Sequence, residues 1–357
     1  MCGRLQELQA HNRLFDIHWR CIRENVCPTR SGKDQDIIWN RQDQAFFADW
    51  EDRLRGGAIN MQRHLLRNGY TVVSAPLCHK VGKLERPSIW KLQIREDTLK
   101  DIVVQEITAV NDSAFRSLLA EAQNKQDAFI FVHGYNQTFE KAALRTAQLT
   151  QDLSLEITPI MYSWSSNGKV IDYPGDEDQV ALGTLNFISF LKRVARDGKF
   201  KHLHLIAHSM GNRLICNALY ELRNDTTNLR IDQVIMAAPD VFADQFEQKL
   251  ASAIMDKAEH VTIYTARNDE AIRASKFFHH DVRLGQIGLP PPLYVLPGID
   301  IIDATTQKMD LLGHGRFAQS PVILLDIETI FETDKSAALR NVLMRPIGTF
   351  KYYYFPK

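Results

Sequence analysis

The sequence predicts an α/β fold built on a mainly parallel central sheet with helices on both faces. Three observations carry that prediction. From Gly69 onward, short apolar strand-like runs alternate with helical patterns almost to the end of the chain. One run, Ala128-Phe129-Ile130-Phe131-Val132, is nearly continuously apolar, as in a strand buried on both faces. Finally, Leu203-His204-Leu205-Ile206-Ala207-His208 leads into Ser209-Met210-Gly211-Asn212 and then into the helix-forming Arg213-Leu214-Ile215-Cys216-Asn217-Ala218-Leu219. That is a strand, a tight turn and a helix.

Length and composition bound the rest. At 357 residues, the chain can bury a sizeable core. Lys+Arg and Asp+Glu both total 43, so no net field favours nucleic acid or an anionic membrane. The basic run Lys80, Lys83, Arg86, Lys91 and Arg95 reads as a solvated face. Five scattered cysteines suit free thiols in a reducing compartment. None sits at metal-ligand spacing, so no metal and no cofactor is expected. The first thirty residues lack an apolar signal core, and no window approaches ~18 uninterrupted apolar residues. The expectation is therefore a cytoplasmic protein without a transmembrane segment. Its oligomeric state is not legible.

The elements follow in order. Residues 1–65 read as an N-terminal extension of short helices or loops packed on the main domain, which takes up residues 66–357. Tyr70–Pro76 and Asp101–Ile107 are predicted strands, and Ser113 is positioned to cap a helix through Ala122. After the buried run come a helix over 139–153, a strand over Ile157–Trp164 and a helix over 178–196. The strand leading to Ser209 is next. Ile231–Ala238, a helix over 243–258, Val261–Thr265 and a strand near Gly298–Asp303 complete the pattern. Only about twenty residues separate Ala238 from the next strand, enough for one helix and a turn. No large cap domain is expected there, so the carboxyl end of the sheet should be fairly open.

The turn at Ser209 has the form of a nucleophile elbow, which exposes a serine hydroxyl over the end of the sheet. Its neighbours two before and two after must be small, here Ala207 and Gly211. A serine so placed needs a base, an orienting acid and preorganised donors for an oxyanion. Upstream, the buried run ends in His133-Gly134-Tyr135-Asn136, whose turn can direct the amides of Gly134 and Tyr135 into a pocket beside that of Met210. For the acid, Asp269 in the polar turn after Val261–Thr265 is the first choice. Its competing use is to cap a helix starting at Ala271. Asp240, after Ala238-Pro239, is the alternative. His314, between Gly313 and Gly315 after the last strand, is the candidate base, giving the order Ser, Asp, His. His208 reads as shape-filling.

Phe131-Val132-His133-Gly134-Tyr135-Asn136, Arg145-Thr146-Ala147-Gln148, Ser163-Trp164-Ser165-Ser166, Ala207-His208-Ser209-Met210-Gly211-Asn212, Ala238-Pro239-Asp240 and Gly313-His314 together resemble one family. It is a family of bacterial α/β-hydrolases of the esterase/lipase superfamily, long catalogued as a domain of unknown function. The resemblance covers roughly residues 66–320. Ser165 stands where that family often has proline. The resemblance implies an α/β-hydrolase fold and a serine nucleophile, and says little about substrate. The expected function is cleavage of a carboxylic ester in a small-molecule substrate, with no nucleic-acid partner. Two alternatives use the same residues. One is a binding or scaffold protein without turnover; the other is a lipase- or acyltransferase-type effector.

Overall fold

The computed structural model describes residues 33–42, 66–87, 96–122, 125–166, 173–227, 229–266, 282–286, 296–307, 316–347 and 350–356. The apolar run forms β4 (Asp127–Val132), which pairs in parallel with β5 (Ile157–Ser163) on one side and β6 (His202–His208) on the other. Because side chains alternate along a strand, β4 feeds two cores. Ala128, Ile130 and Val132 join one apolar cluster, Phe129 and Phe131 the other.

The same alternation recurs in β7 (Ile231–Ala237) and β8 (Ala258–Thr265), which extend the parallel sheet to β9 (Ile299–Asp303). Beyond β9 lie β11 (Phe350–Tyr354), parallel to it, and β10 (Leu343–Ile347), antiparallel at the edge. On the other side, β5 pairs in parallel with β1 (Lys33–Gln42), and an antiparallel meander continues through β2 (Leu66–Ala75) and β3 (Val103–Val110). Among the described residues, the sheet thus holds eleven strands in the order β10-β11-β9-β8-β7-β6-β4-β5-β1-β2-β3.

Helices cover both faces. Phe115 and Leu119 of α1 (Asp112–Ala122), Phe187, Phe190 and Leu191 of α3 (Tyr173–Arg193), and Leu214, Ile215 and Leu219 of α4 (Gly211–Glu221) pack into one core. A helical stretch between β7 and β8, α5 (Ala243–Gln245, Phe246–Leu250 and Ala251–Met255), adds Phe246 and Ile254 to the same core. The opposite core takes Leu149 of α2 (Phe139–Asp152) and Ile323, Ile327 and Ile330 of α6 (Pro321–Thr333). The predicted α/β class, with its mainly parallel sheet and two helical layers, describes the molecule.

Several details depart from the sequence reading. Short helices or loops are expected before residue 66, yet Lys33–Gln42 is a sheet strand. Only Ile37, Ile38 and Trp39 are apolar in its middle, while the buried Asn40 and Gln42 conceal its depth. Residues 46–50 and 61–66 carry apolar residues at roughly helical spacing; 46–50 and 61–65 lie outside the described residues, and Leu66 opens β2 as a strand. Asn111 rather than Ser113 caps α1, accepting from the Ala114 amide at 2.9 Å. Lys80, Lys83 and Arg86 are exposed as expected, and Lys91 and Arg95 lie outside the described residues. Among the described residues, no helix is long and apolar enough to cross a membrane.

Candidate active site

Ser209 sits between β6 and α4, at the carboxyl end of the sheet. Its φ is +50°, in the left-handed region that a residue with a Cβ enters at a cost of about 1–2 kcal/mol. The surroundings fix it there. Its amide donates to Ala237 O at 3.0 Å. Its carbonyl accepts from the amides of Asn212 (3.1 Å) and Asp240 (3.2 Å) and from Asn212 Nδ2 (3.0 Å). Asn212 Nδ2 also reaches Ala237 O at 3.3 Å, so this fully buried amide clamps the turn to β7.

The small residues of the motif have distinct uses. Ala207 is wholly buried in β6. At Gly211 a Cβ would lie 2.5 Å from His133 O and 2.8 Å from Val132 O, so only glycine lets α4 start against the end of β4. At Gly134 a Cβ would lie 3.0 Å from Ser209 Cβ. The two strand ends therefore meet backbone to backbone, and the Gly134–Tyr135 turn lies against the serine. Met210 is buried at the cap of α4, where first-turn amides have no partner within the helix.

The turn after β4 is held from behind by α3. Asn136, at φ +56°, donates its amide to Asp176 Oδ2 at 3.4 Å. Ser166 Oγ accepts from the Gln137 amide at 3.3 Å and donates to Asp176 Oδ2 at 2.6 Å. Tyr135 stands edge-on to Tyr173, with ring centroids 5.4 Å apart. Burial, with Asp176 nearby, raises the Tyr135 phenol above its ordinary pKa. Ser165 donates to Gln42 O at 2.6 Å, tying the end of β5 to that of β1, a bond that a proline could not make.

Two histidines flank the serine, each buried where its charged form is disfavoured. Burial lowers His133 to about 4. Its neutral ring donates from Nδ1 to Gly134 O (2.8 Å), lies 3.3 Å from Ser163 Oγ through Nε2, and stacks on Trp164. Burial also lowers His208 to about 3, with smaller effects from Arg145 and His133, and its ring stacks on Phe317 at 5.1 Å. His208 is thus shape-filling, as its position suggests. The stack also brings the turn Arg316–Gln319, two residues after His314, to the back of the elbow.

Asp240 lies beside the serine, against a phenol and two arginines. Its Oδ2 accepts from the Tyr173 hydroxyl (2.5 Å) and Arg213 Nη2 (3.2 Å), and Oδ1 lies 3.3 Å from Arg283 Nε. Burial alone would raise its pKa; Arg213 and Arg283 outweigh it, and the carboxyl stays below the usual range. Arg213 also donates to Asp240 O (2.5 Å) and pairs with Glu177. Asp269 and His314 lie outside the described residues. Sequence reasoning misses Tyr173, Asp176 and Arg283, isolated polar residues whose roles arise only from long-range contacts; Arg213 is read only as helix-forming. Among the described residues, no group of His, Cys, Asp or Glu side chains is arranged to hold a metal ion.

Comparison with known proteins agrees with this architecture. The model of a family described as alpha/beta hydrolase of unknown function (DUF900) matches residues 108–331. An uncharacterized protein of Nostoc sp., alr1448, is 28% identical over 239 residues, covering 52% of this chain and 62% of that protein. The chain therefore spans less than two thirds of that relative. Among solved structures, Trichoderma reesei cutinase in complex with a phosphonate inhibitor matches at 14% identity and a TM-score of 0.31, covering 60% of this chain and 90% of the cutinase. Phospholipase PlaB from Legionella pneumophila matches at 14% identity and a TM-score of 0.30, covering 64% of this chain and 68% of PlaB. Scores this low carry nothing about substrate.

Proposed function

We propose, from the premise that this chain belongs to the DUF900 family of α/β hydrolases, that it is a serine hydrolase of carboxylic esters. The observation that carries the reading is Ser209 itself. It is a non-glycine residue held in left-handed backbone conformation at a strand–helix junction, with the Gly134 turn packed against its Cβ. Strain of this kind persists where the surrounding structure over-determines it, and here four hydrogen bonds do so.

In this reading, Ser209 Oγ attacks the ester carbonyl carbon as His314 takes its proton. The amides of Met210 and of the Gly134–Tyr135 turn stabilise the oxyanion. Collapse expels the alcohol, which His314 protonates. Water, deprotonated by His314, then attacks the acyl-enzyme and releases the acid. Asp269 orients the imidazole and stays ionised. Two features support these assignments. Phe317, stacked beside the elbow, is three residues from His314, a reach of at most about 11 Å. In chain order Asp269 follows β8 and precedes His314, as the order Ser, Asp, His asks of the acid, while Asp240 serves two arginines and a phenol.

The test is covalent labelling with a fluorophosphonate, followed by turnover of a panel of esters graded by acyl length. One labelled residue is expected, with Ser209→Ala folded and unlabelled, and the shorter, soluble esters preferred. Labelling that survives Ser209→Ala would refute the nucleophile. Activity confined to long acyl chains at a lipid surface would favour the lipase-type alternative.

A further inference from the structure

One motif is left unused by this chemistry. Arg145, Gln148 and Asp152 recur at spacings of three and four along one face of α2, and all three are buried. Arg145 donates to Gln148 Oε1, and Gln148 Nε2 donates both to Asp152 Oδ2 (2.8 Å) and to Ala318 O. Asp152 accepts the Gly82 amide at 3.1 and 3.2 Å, and its Oδ1 meets His79 Nε2 at 2.7 Å. The other ring nitrogen of His79 meets Glu85 Oε2 at 2.8 Å, and Glu85 Oε1 accepts the Lys80 amide. Gly82, at φ +79°, is pressed so close to the next turn that a Cβ would lie 2.5 Å from Gln319 O. The loop carrying His79 and the face of α2 thus grip residues 318–319 together. One residue earlier, Phe317 stacks on His208, next to Ser209.

We propose that this buried chain is a positioning device for the general base. His79, through Asp152 and Gln148, fixes the backbone at Ala318–Gln319, the anchor from which His314 is carried to the serine. The inference rests on the reading of His314 as the base.

An imidazole between two carboxylates satisfies both only by donating from both nitrogens, as the imidazolium. Among the described residues, the charged groups facing it are Glu85 from its own loop and Asp152 from α2, with Arg145 two turns further back on α2 acting on Asp152. Burial opposes the charge, but the two carboxylates outweigh it and raise His79 to about 9. When that proton leaves, one carboxylate faces a bare nitrogen lone pair. The grip on Asp152, and through Gln148 on Ala318, then loosens. The device should therefore hold at neutral pH and release in alkali, giving the labelling rate of Ser209 an alkaline limb.

The experiment is the rate of fluorophosphonate labelling of the full chain from pH 6 to 10.5, with circular dichroism at each pH. For the wild type, the rate should fall reversibly above about pH 9 while the helical signal is unchanged. His79→Gln should label about tenfold more slowly at pH 8 and lose the alkaline limb. Gln148→Met, which leaves the His79 carboxylates in place, should do the same. In ester turnover, both should lower kcat and leave KM near its wild-type value. A wild-type rate that stays flat to pH 10.5 overturns the inference even if neither variant folds. Variants that melt earlier but label at the wild-type rate well below their melting temperature overturn it too, since the cluster would then be merely structural. Labelling that survives Ser209→Ala or His314→Ala overturns the site reading along with it. Labelling lost in those two but unchanged in His79→Gln and Gln148→Met overturns this inference alone.

Discussion

Gly134→Ala isolates the contact on which the proposed oxyanion site depends. The φ of Gly134 lies outside the left-handed region, so alanine is not excluded by backbone conformation. What the methyl group meets is the elbow: His208 Nδ1 at 2.9 Å, Ser209 Cβ at 3.0 Å and His208 O at 3.1 Å, where ordinary contact begins at 3.4 Å. Relief requires the turn and the serine to separate by about half an ångström. A misplacement of about 1 Å can cost 10²-fold in rate, so half of that predicts a loss of about tenfold. Complete loss of one oxyanion donor, about 10²- to 10³-fold, sets the upper bound. Overpacking should destabilise the fold by about 1–2 kcal/mol. The assay is kcat on a short-chain p-nitrophenyl ester alongside the thermal midpoint. A variant that turns over within twofold of the wild type refutes the idea that this turn is packed against the serine to serve it.

Four further outcomes are expected. Ser209→Gly should abolish turnover yet raise unfolding free energy by about 0.5–1 kcal/mol in urea titration, because glycine adopts φ +50° without a Cβ penalty. Asp269→Asn should lower kcat by about 10³- to 10⁴-fold with an unchanged melting temperature. Asp240→Asn should destabilise by about 3 kcal/mol, because it strips the charge shared by Arg213 and Arg283, while the folded fraction stays active; exchange of these phenotypes would make Asp240 the acid. For His79, whose folded pKa is raised from 6.5 to about 9, the stabilisation is fully present below pH 6.5 and lost as pH rises through about 9. A rise of that size corresponds to about 3 kcal/mol. Urea midpoints of wild type and His79→Gln should therefore diverge at pH 7 and converge near pH 10; parallel curves would contradict it.

Strands β4 to β8 were legible because a strand buried on both faces must be apolar almost throughout, and DAFIFV or HLHLIA leaves few other readings. The elbow was legible for a different reason: a tight turn tolerates only small neighbours, and that constraint is local. β1 escaped because polar residues surround its three-residue apolar centre. β10 carries Pro346 at the sheet edge, which reads against a strand. The start of α6 did carry a signal. Ser320 caps it by accepting from the Ile323 amide, and Pro321 opens it. No local pattern marks Asp176 or His79. Each is a single polar residue whose burial is satisfied by partners far away in the chain, Asn136 for one and Asp152 for the other.

The place of β1 in the sheet sets an order of events during synthesis. β1, β2 and β3 can pair as a local meander, but the other edge of β1 belongs to β5, where Ile38 meets Ile160 and Trp39 meets Met161. β5 ends about 120 residues after β1 does. At translation speeds of about 5–20 residues per second, that edge waits roughly 6–24 s for its partner. During the wait, a strand with Ile37, Ile38 and Trp39 at its centre presents unpaired backbone to any other nascent chain. A ribosome-bound chain arrested before residue 157 should accordingly be captured by holdase chaperones through this meander. One arrested with β5 fully clear of the exit tunnel should not.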